Sequence, residues 1–426
     1  IAYGRGQLPV RLPAGAQPTV IRKPGIPKLP DPAGAVRAAL AQPMGSPTLA
    51  EAASGAASAC ILICDITRPV PNHLFLHPMI EELNAAGVPL SGIRVLVATG
   101  LHRPNEGDEL RAVVGDDWVL ENVAVENHFA RDAAMHVDLG VTPGRGVPVK
   151  LDRRFMEADV KIATGLVEPH FMAGWSGGRK VIAPGVAHED TIRTFHSARF
   201  MEDPLAIQCN LAGNPLHEEQ LEIVRMVGGQ VFAVNTVIDE DRDLVFVSFG
   251  DIFSSHEAAV DFVRPAAVIP VGRKFKTVLT SSAGFPLDGT YYQTVKGMVT
   301  PMDILEDGGT LLIASTCSEG FGSPEFRAAQ DKLVALGPQA FLDTLTAKRF
   351  ADVDEWQTEM QLKPMRIGRI CLYTEGLSAD ERTATGVDIV ADLDAAVAEA
   401  LDRAGDPALA VIPEGPYVVP VATDSI

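Results

Sequence analysis

Cysteine is scarce in this 426-residue chain. Its five cysteines (Cys60, Cys64, Cys209, Cys317 and Cys371) are odd in number and scattered, with no Cys-x-x-Cys pair. Neither a disulfide framework nor a thiolate metal site is expected, and a reducing cytoplasm is the compartment that fits. Long apolar runs are also missing. No stretch reaches the roughly 18 residues a membrane-crossing helix needs, and the first residues lack the basic-then-apolar layout of a signal peptide, so no membrane partner is expected. Basic residues are outnumbered, 36 Lys and Arg against 55 Asp and Glu, for a net charge of −19. Nucleic acid is thereby disfavoured, because phosphate binding needs a clustered basic face. An anionic substrate would have to be held by a few local cations. Internal repeats, coiled-coil heptads and long low-complexity segments are absent as well.

What is present is ordinary globular composition, with 46% hydrophobic and 21% charged residues. The length predicts roughly two to three domains. Apolar runs at 59–64, 93–98 and 160–164 alternate with helical patterns such as 74–86 and 106–114, as in a parallel sheet with helices on its faces. Ligands bind beyond the carboxyl ends of such strands, where Asp65, Arg68 and His102 fall. A strand is expected at 7–12, short helices at 36–42 and 48–57, and a Gly/Pro turn at 142–147. A boundary is expected near 265–275, at Arg264-Pro265 and Pro270-Val271-Gly272-Arg273. Beyond it the alternation restarts, with strands at 277–280, 310–315 and 369–374 and helices at 294–305, 325–336, 338–345, 353–362 and 393–403. The fold class expected is α/β: two α/β domains with mainly parallel sheets, residues 1–268 and 275–405, and an active site in the interdomain cleft.

Reactive side chains concentrate in residues 168–197. His170, His188 and His196 fall there with Arg179-Lys180, beside Gly174, Gly177 and Gly178. An amine, imidazoles and glycines in one loop point to a bound cofactor more than to packing. It is not a Walker loop, since Gly178 is followed by Arg179 and Lys180 by Val181. Nor is it a zinc-protease helix, because His188-Glu189 lacks the second histidine four residues on.

The stretch resembles the nickel-pincer-nucleotide lactate racemase family, whose members racemise or epimerise α-hydroxy acids. Cys-Asp-Ile-Thr-Arg-Pro (64–69), Thr-Gly-Leu-His-Arg-Pro (99–104), Tyr-Gln-Thr-Val-Lys-Gly (292–297) and Asp-Glu-Trp-Gln (354–357) resemble family segments, in family order. The resemblance implies that Lys180 is joined covalently to the cofactor, a pyridinium-3-thioamide-5-thiocarboxylic acid mononucleotide that grips nickel. It further implies that His196 is the protein's nickel ligand, that Trp356 lines the pocket, and that the tail 406–426 returns to the first domain. Taken alone, Lys180 reads as an exposed loop lysine and His196 as a solvent-facing helix histidine. His188, with no matching family role, reads as solvent-facing too.

Inverting an α-hydroxy acid is difficult because the C2 hydrogen is not acidic beside a carboxylate. The easier route removes it as hydride to an electron sink while a base takes the hydroxyl proton, giving a planar 2-keto acid that is re-reduced on either face. One acid/base group is needed per enantiomer, and His102 and His170 are the pair expected. Arg179 disfavours the protonated form of Lys180, favouring covalent attachment. Arg68 presents a fork for a carboxylate or phosphate, with Asp65 to orient it or to accept from the cofactor. Gln293 and Lys296, three apart at a helix start, share a face suited to the substrate's carboxylate and oxygen. Tyr292, Gly177 and Gly178 are assigned to the cofactor. Cofactor-biosynthesis enzymes are expected as transient partners. Rival readings are a sugar-acid 2-epimerase, a racemase of a larger or dicarboxylic 2-hydroxy acid, and a non-catalytic nickel-cofactor binding protein.

Overall fold

A computed structural model describes residues 1–423. The chain forms two compact units: residues 25–195 with 210–264, and residues 1–24 with 196–209 and 265–426.

The first unit is built on a six-stranded sheet in the order Leu244–Asp251, Val231–Ile238, Val160–Leu166, Ala59–Cys64, Ile93–Ala98, Ala124–Asn127. All neighbours are parallel except the first pair, an antiparallel hairpin. The central strands read as unbroken apolar runs because helices cover both of their faces. Ile61, Ile63, Val95 and Ile162 pack with Leu76, Met79, Ile80 and Leu83 of the helix Leu76–Ala85. Each such side chain contributes about 1.5–3 kcal/mol by leaving water. The chain passes from Ala59–Cys64 to two strands on one side and then to Val160–Leu166 on the other, so the strand order reverses about Ala59–Cys64.

The second unit carries an all-parallel six-stranded sheet in the order Asp388–Val390, Arg369–Tyr373, Leu305–Ala314, Phe275–Ser281, Ala408–Ile412, Gln17–Val20. Leu279, Leu312 and Leu409 pack against Leu393, Val397 and Leu401 of the helix Leu393–Ala404. Asp392 caps that helix by accepting from the Ala395 amide, and Gly405 ends it at φ 60°, which glycine adopts without strain.

The expected boundary is close to the division at 264/265, although the helix Ile252–Ala267 runs through Pro265. The expected ends differ from those found. Residues 1–24 do not join the first domain, because Gln17–Val20 pairs with Ala408–Ile412, and that pairing also keeps 406–412 in the second unit. The strand expected at 7–12 is only Gly6–Gln7. The edge position suits Gln17–Val20, since Pro18 has no amide to donate to a further neighbour. Residues 294–305 are not one helix: Tyr291–Val299 ends before Pro301, and Leu305 already opens a strand. The turn at 142–147 joins an antiparallel hairpin, His136–Val141 with Pro148–Asp152. No helix is long and apolar enough to cross a membrane among the described residues.

Candidate active site

Three strands of the first unit deliver their carboxyl ends to the reversal point, where α/β sheets bind ligands. Cys64 is followed by Asp65 and Arg68, Ala98 by His102, and Leu166 by Glu168 and His170. The structure brings the first two groups together. Asp65, buried, holds His102 Nδ1 at 2.6 Å through Oδ2. Its other oxygen accepts from Thr67 Oγ1 at 2.5 Å and the Thr67 amide at 3.2 Å. Burial alone would raise the Asp65 carboxyl, but the hydrogen bond and charge of His102, with the two Thr67 donors, hold it below its usual range. Nδ1 of His102 therefore carries the proton that faces Asp65, and in the neutral ring Nε2 carries the lone pair. Of the two roles expected of Asp65, orienting Arg68 or accepting from the cofactor, the first falls to Glu168, which pairs with the Arg68 guanidinium.

His170 sits in a two-residue strand, Pro169–His170, paired with Gly174–Trp175. Its Nδ1 accepts from the Ala173 amide at 3.1 Å and the Met172 amide at 3.4 Å. A ring whose Nδ1 accepts keeps its proton on Nε2 when neutral, the opposite tautomer to His102.

Gly177 and Gly178 have φ of +86° and +45° and lead into the short helix Arg179–Ile182 that carries Lys180. A Cβ on Gly177 would lie 2.6 Å from Val167 Cγ2 and 3.0 Å from Asn235 Oδ1. Both glycines are thus required by the loop's own packing, whatever it binds. Arg179 is buried, with Nη1 at 2.8 Å from His256 Nε2 and Nη2 donating to the Trp175 and Ala173 carbonyls at 3.0 and 3.2 Å. Burial lowers this guanidinium to about 9. Arg179 is a strut under the Lys180 loop that sequence alone did not distinguish from a surface cation. His188 does not face solvent: it is buried, with its ring 5.0 Å from that of His136, which is 5.1 Å from that of His128. Asp152 anchors this stack through His128 Nδ1 at 2.9 Å.

The second unit holds the remaining residues. Gln293 and Lys296 lie on the helix Tyr291–Val299, and Gln293 Oε1 is buried without a hydrogen-bond partner. Tyr292 Oη reaches Asp354 Oδ1 at 3.3 Å, and its ring meets Phe326 edge-on at 5.1 Å. His196 is buried, its ring 5.0 Å from that of Trp356. Glu359, one turn along from Trp356, is 1% exposed and was not anticipated; burial first, then Glu202, pushes its carboxyl up to about 8. A groove of about 370 Å³ at the Gln17–Val20 edge contains none of these side chains. Asp239, Asp241 and Asp243 form the carboxylate cluster with metal-like spacing among the described residues, but Lys28 Nζ lies 3.5, 2.8 and 2.6 Å from them.

Family models for the lactate racemase N-terminal domain and the lactate racemase C-terminal domain match residues 3–208 and 272–420. A lactate racemase of Lactiplantibacillus plantarum is 31% identical over 387 residues, covering 90% of each chain. A lactate racemase of Thermoanaerobacterium thermosaccharolyticum is 29% identical, covering 98% of each chain. The solved lactate racemase apoprotein from Thermoanaerobacterium thermosaccharolyticum superposes with a TM-score of 0.91 at 28% identity, covering 99% of each chain. A Thermotoga maritima protein shares the fold, with a TM-score of 0.65 at 16% identity, covering 89% of this chain and all of that one.

Proposed function

Since the chain belongs to the lactate racemase family and is an isomerase, we propose that it inverts the C2 stereocentre of lactate or a closely similar 2-hydroxy acid. The observation that carries this reading is the opposite tautomer control of two histidines beyond the strand ends. Asp65 keeps a lone pair on His102 Nε2, and the Ala173 and Met172 amides keep a proton on His170 Nε2. His102 Nε2 is set to take the hydroxyl proton and to return it as an imidazolium, and the His170 Nε2–H to hydrogen-bond the substrate oxygen; His170 gives up a proton only from its imidazolium, which returns to the neutral ring on donating. The carboxylate of Asp65 stabilises His102 once it is protonated, as a buried acid does for a general base.

The residues present suit the nickel-pincer nucleotide of the family. Lys180 offers an amine behind two tightly packed glycines, and His196 an imidazole, a donor that suits nickel. Thr164 Oγ1, near the end of its strand, and Gln293 Oε1 are buried without partners, as expected of groups that meet a ligand. When bound, the cofactor supplies an electron sink that takes the C2 hydrogen as hydride and returns it. Arg68, steadied by Glu168, is assigned to the substrate carboxylate, as are Gln293 and Lys296 to its polar atoms. Tyr292 is assigned to the cofactor and Trp356 to the wall of the pocket. A cytoplasmic location fits the five free cysteines. Cofactor-making enzymes are the transient partners, and the net charge of −19 disfavours nucleic acid.

The test is a panel of enantiopure 2-hydroxy acids, incubated with protein co-produced with the cofactor-making enzymes and nickel, and read by chiral chromatography. Each lactate enantiomer should converge on an equal mixture. Inversion of only dicarboxylic or sugar acids would move the substrate to the rival reading, and inversion of none would leave the cofactor-carrying one.

A further inference from the structure

The nickel ligand assigned above lies at the start of an excursion: residues 196–209 group with the second unit, although the chain on either side belongs to the first. One face of the helix Glu355–Ile367 grips this segment. Trp356, Glu359, Lys363 and Arg366 recur at spacings of three, four and three, a single stripe of an α-helix. Trp356 meets the His196 ring. Arg366 holds both carboxylate oxygens of Glu202, at 2.6 and 3.1 Å, a two-point contact that fixes orientation as well as distance. Lys363 Nζ donates to the Ala206 carbonyl at 3.3 Å. Between these anchors Ala198 packs with Leu362, Leu333 and Phe341. From the far end of the segment, Gln208 Nε2 donates to the Thr300 carbonyl at 2.7 Å.

We propose that Arg366 and Lys363 are positioning residues for the metal site, acting through Glu202 and Ala206 to hold the 196–209 segment so that the His196 imidazole keeps its place beside Trp356. This rests on the reading of His196 as the nickel ligand. It explains why a largely buried helix commits two cations to a carboxylate and a carbonyl of one short segment. Groups that orient a metal ligand without touching the metal commonly matter 10- to 100-fold in metal affinity.

The test uses the full chain co-produced with the cofactor-making enzymes and nickel. Lys363→Met with Arg366→Met keeps the apolar stems and removes both charges. Intact mass should show the same adduct on Lys180. Nickel loss to excess EDTA should be about tenfold faster. In the apoprotein, amides of residues 196–209 should exchange faster. Glu202→Arg combined with Arg366→Glu should bring nickel loss back towards the parent rate, and Glu202→Gln, a mild change should the double variant fold poorly, should speed it a few-fold. Parental nickel retention in the Met variant overturns the inference, as does faster amide exchange with unchanged retention, or a charge exchange that restores nothing. A His196→Ala variant that carries the adduct and keeps nickel refutes the ligand assignment itself, a failure separable from the others because Lys363 and Arg366 are intact in it.

Discussion

Asp65→Asn is the most informative single substitution in the first unit. Oδ1 of Asp65 receives two donors, the Thr67 hydroxyl and amide, and Oδ2 faces His102 Nδ1 at 2.6 Å. An asparagine must keep its oxygen towards Thr67, because an NH2 there would face two donors. Its NH2 then points at His102 Nδ1 and can only donate, which forces the proton onto Nε2 and removes the lone pair that takes the substrate's proton. The expected loss is that of a well-placed general base, about 10²- to 10⁴-fold, or roughly 3–5 kcal/mol of barrier. Asp65→Ala gives up three hydrogen bonds at a buried position and should cost about 2–3 kcal/mol of stability, yet it leaves His102 able to adopt either tautomer. Asparagine should therefore be the more stable variant and the slower one. Chiral chromatography of cofactor-loaded protein, with thermal melts of both variants, decides it. The reasoning is refuted if Asp65→Asn inverts substrate within a few-fold of the parent, or faster than Asp65→Ala.

Other outcomes follow from the same geometry. Lys180→Ala should lack the nucleotide-sized mass adduct that the co-produced parent carries; an adduct that persists assigns the tether elsewhere. His196→Ala should keep that adduct and lose nickel, measured by metal analysis beside intact mass. His102→Ala and His170→Ala should each abolish net inversion, while single-enantiomer oxidation remains visible as a change in cofactor absorbance. Glu359 keeps its proton to about pH 8 in the folded chain but loses it near its ordinary 4.5 when unfolded. Its contribution is thus fully present below pH 4.5 and is lost as pH rises to 8, and Glu359→Gln should be more stable than the parent at pH 8 by roughly 2–4 kcal/mol in denaturant melts.

The first unit was legible because its chemistry is local. Parallel strands covered on both faces must be continuous apolar runs, so Ala59–Cys64 and Ile93–Ala98 announce themselves, and the carboxyl-end rule places Asp65, Arg68 and His102 without any knowledge of pairing. What was not legible depends on contacts distant in sequence. Gln17–Val20 has a proline and four exposed residues, and only its register against Ala408–Ile412 makes it a strand. Nothing near Arg68 shows that Glu168, rather than Asp65, is its partner. His188 looks solvent-facing until the hairpin His136–Val141 with Pro148–Asp152 is in place to bring His136 against it. The excursion 196–209 likewise carries no signal of its own, since Glu202 and Ala206 take their meaning from Arg366 and Lys363 more than 150 residues on.

The central claim is that inversion proceeds by removal and return of hydride, with the histidines handling only the hydroxyl proton. The most direct measurement is racemisation of a single lactate enantiomer in D2O by cofactor-loaded protein, with the product analysed by chiral chromatography and mass spectrometry. The account predicts an equal mixture of enantiomers with protium retained at C2. Deuterium entering C2 in step with inversion would contradict it, because that would mean a base abstracts the C2 hydrogen as a proton.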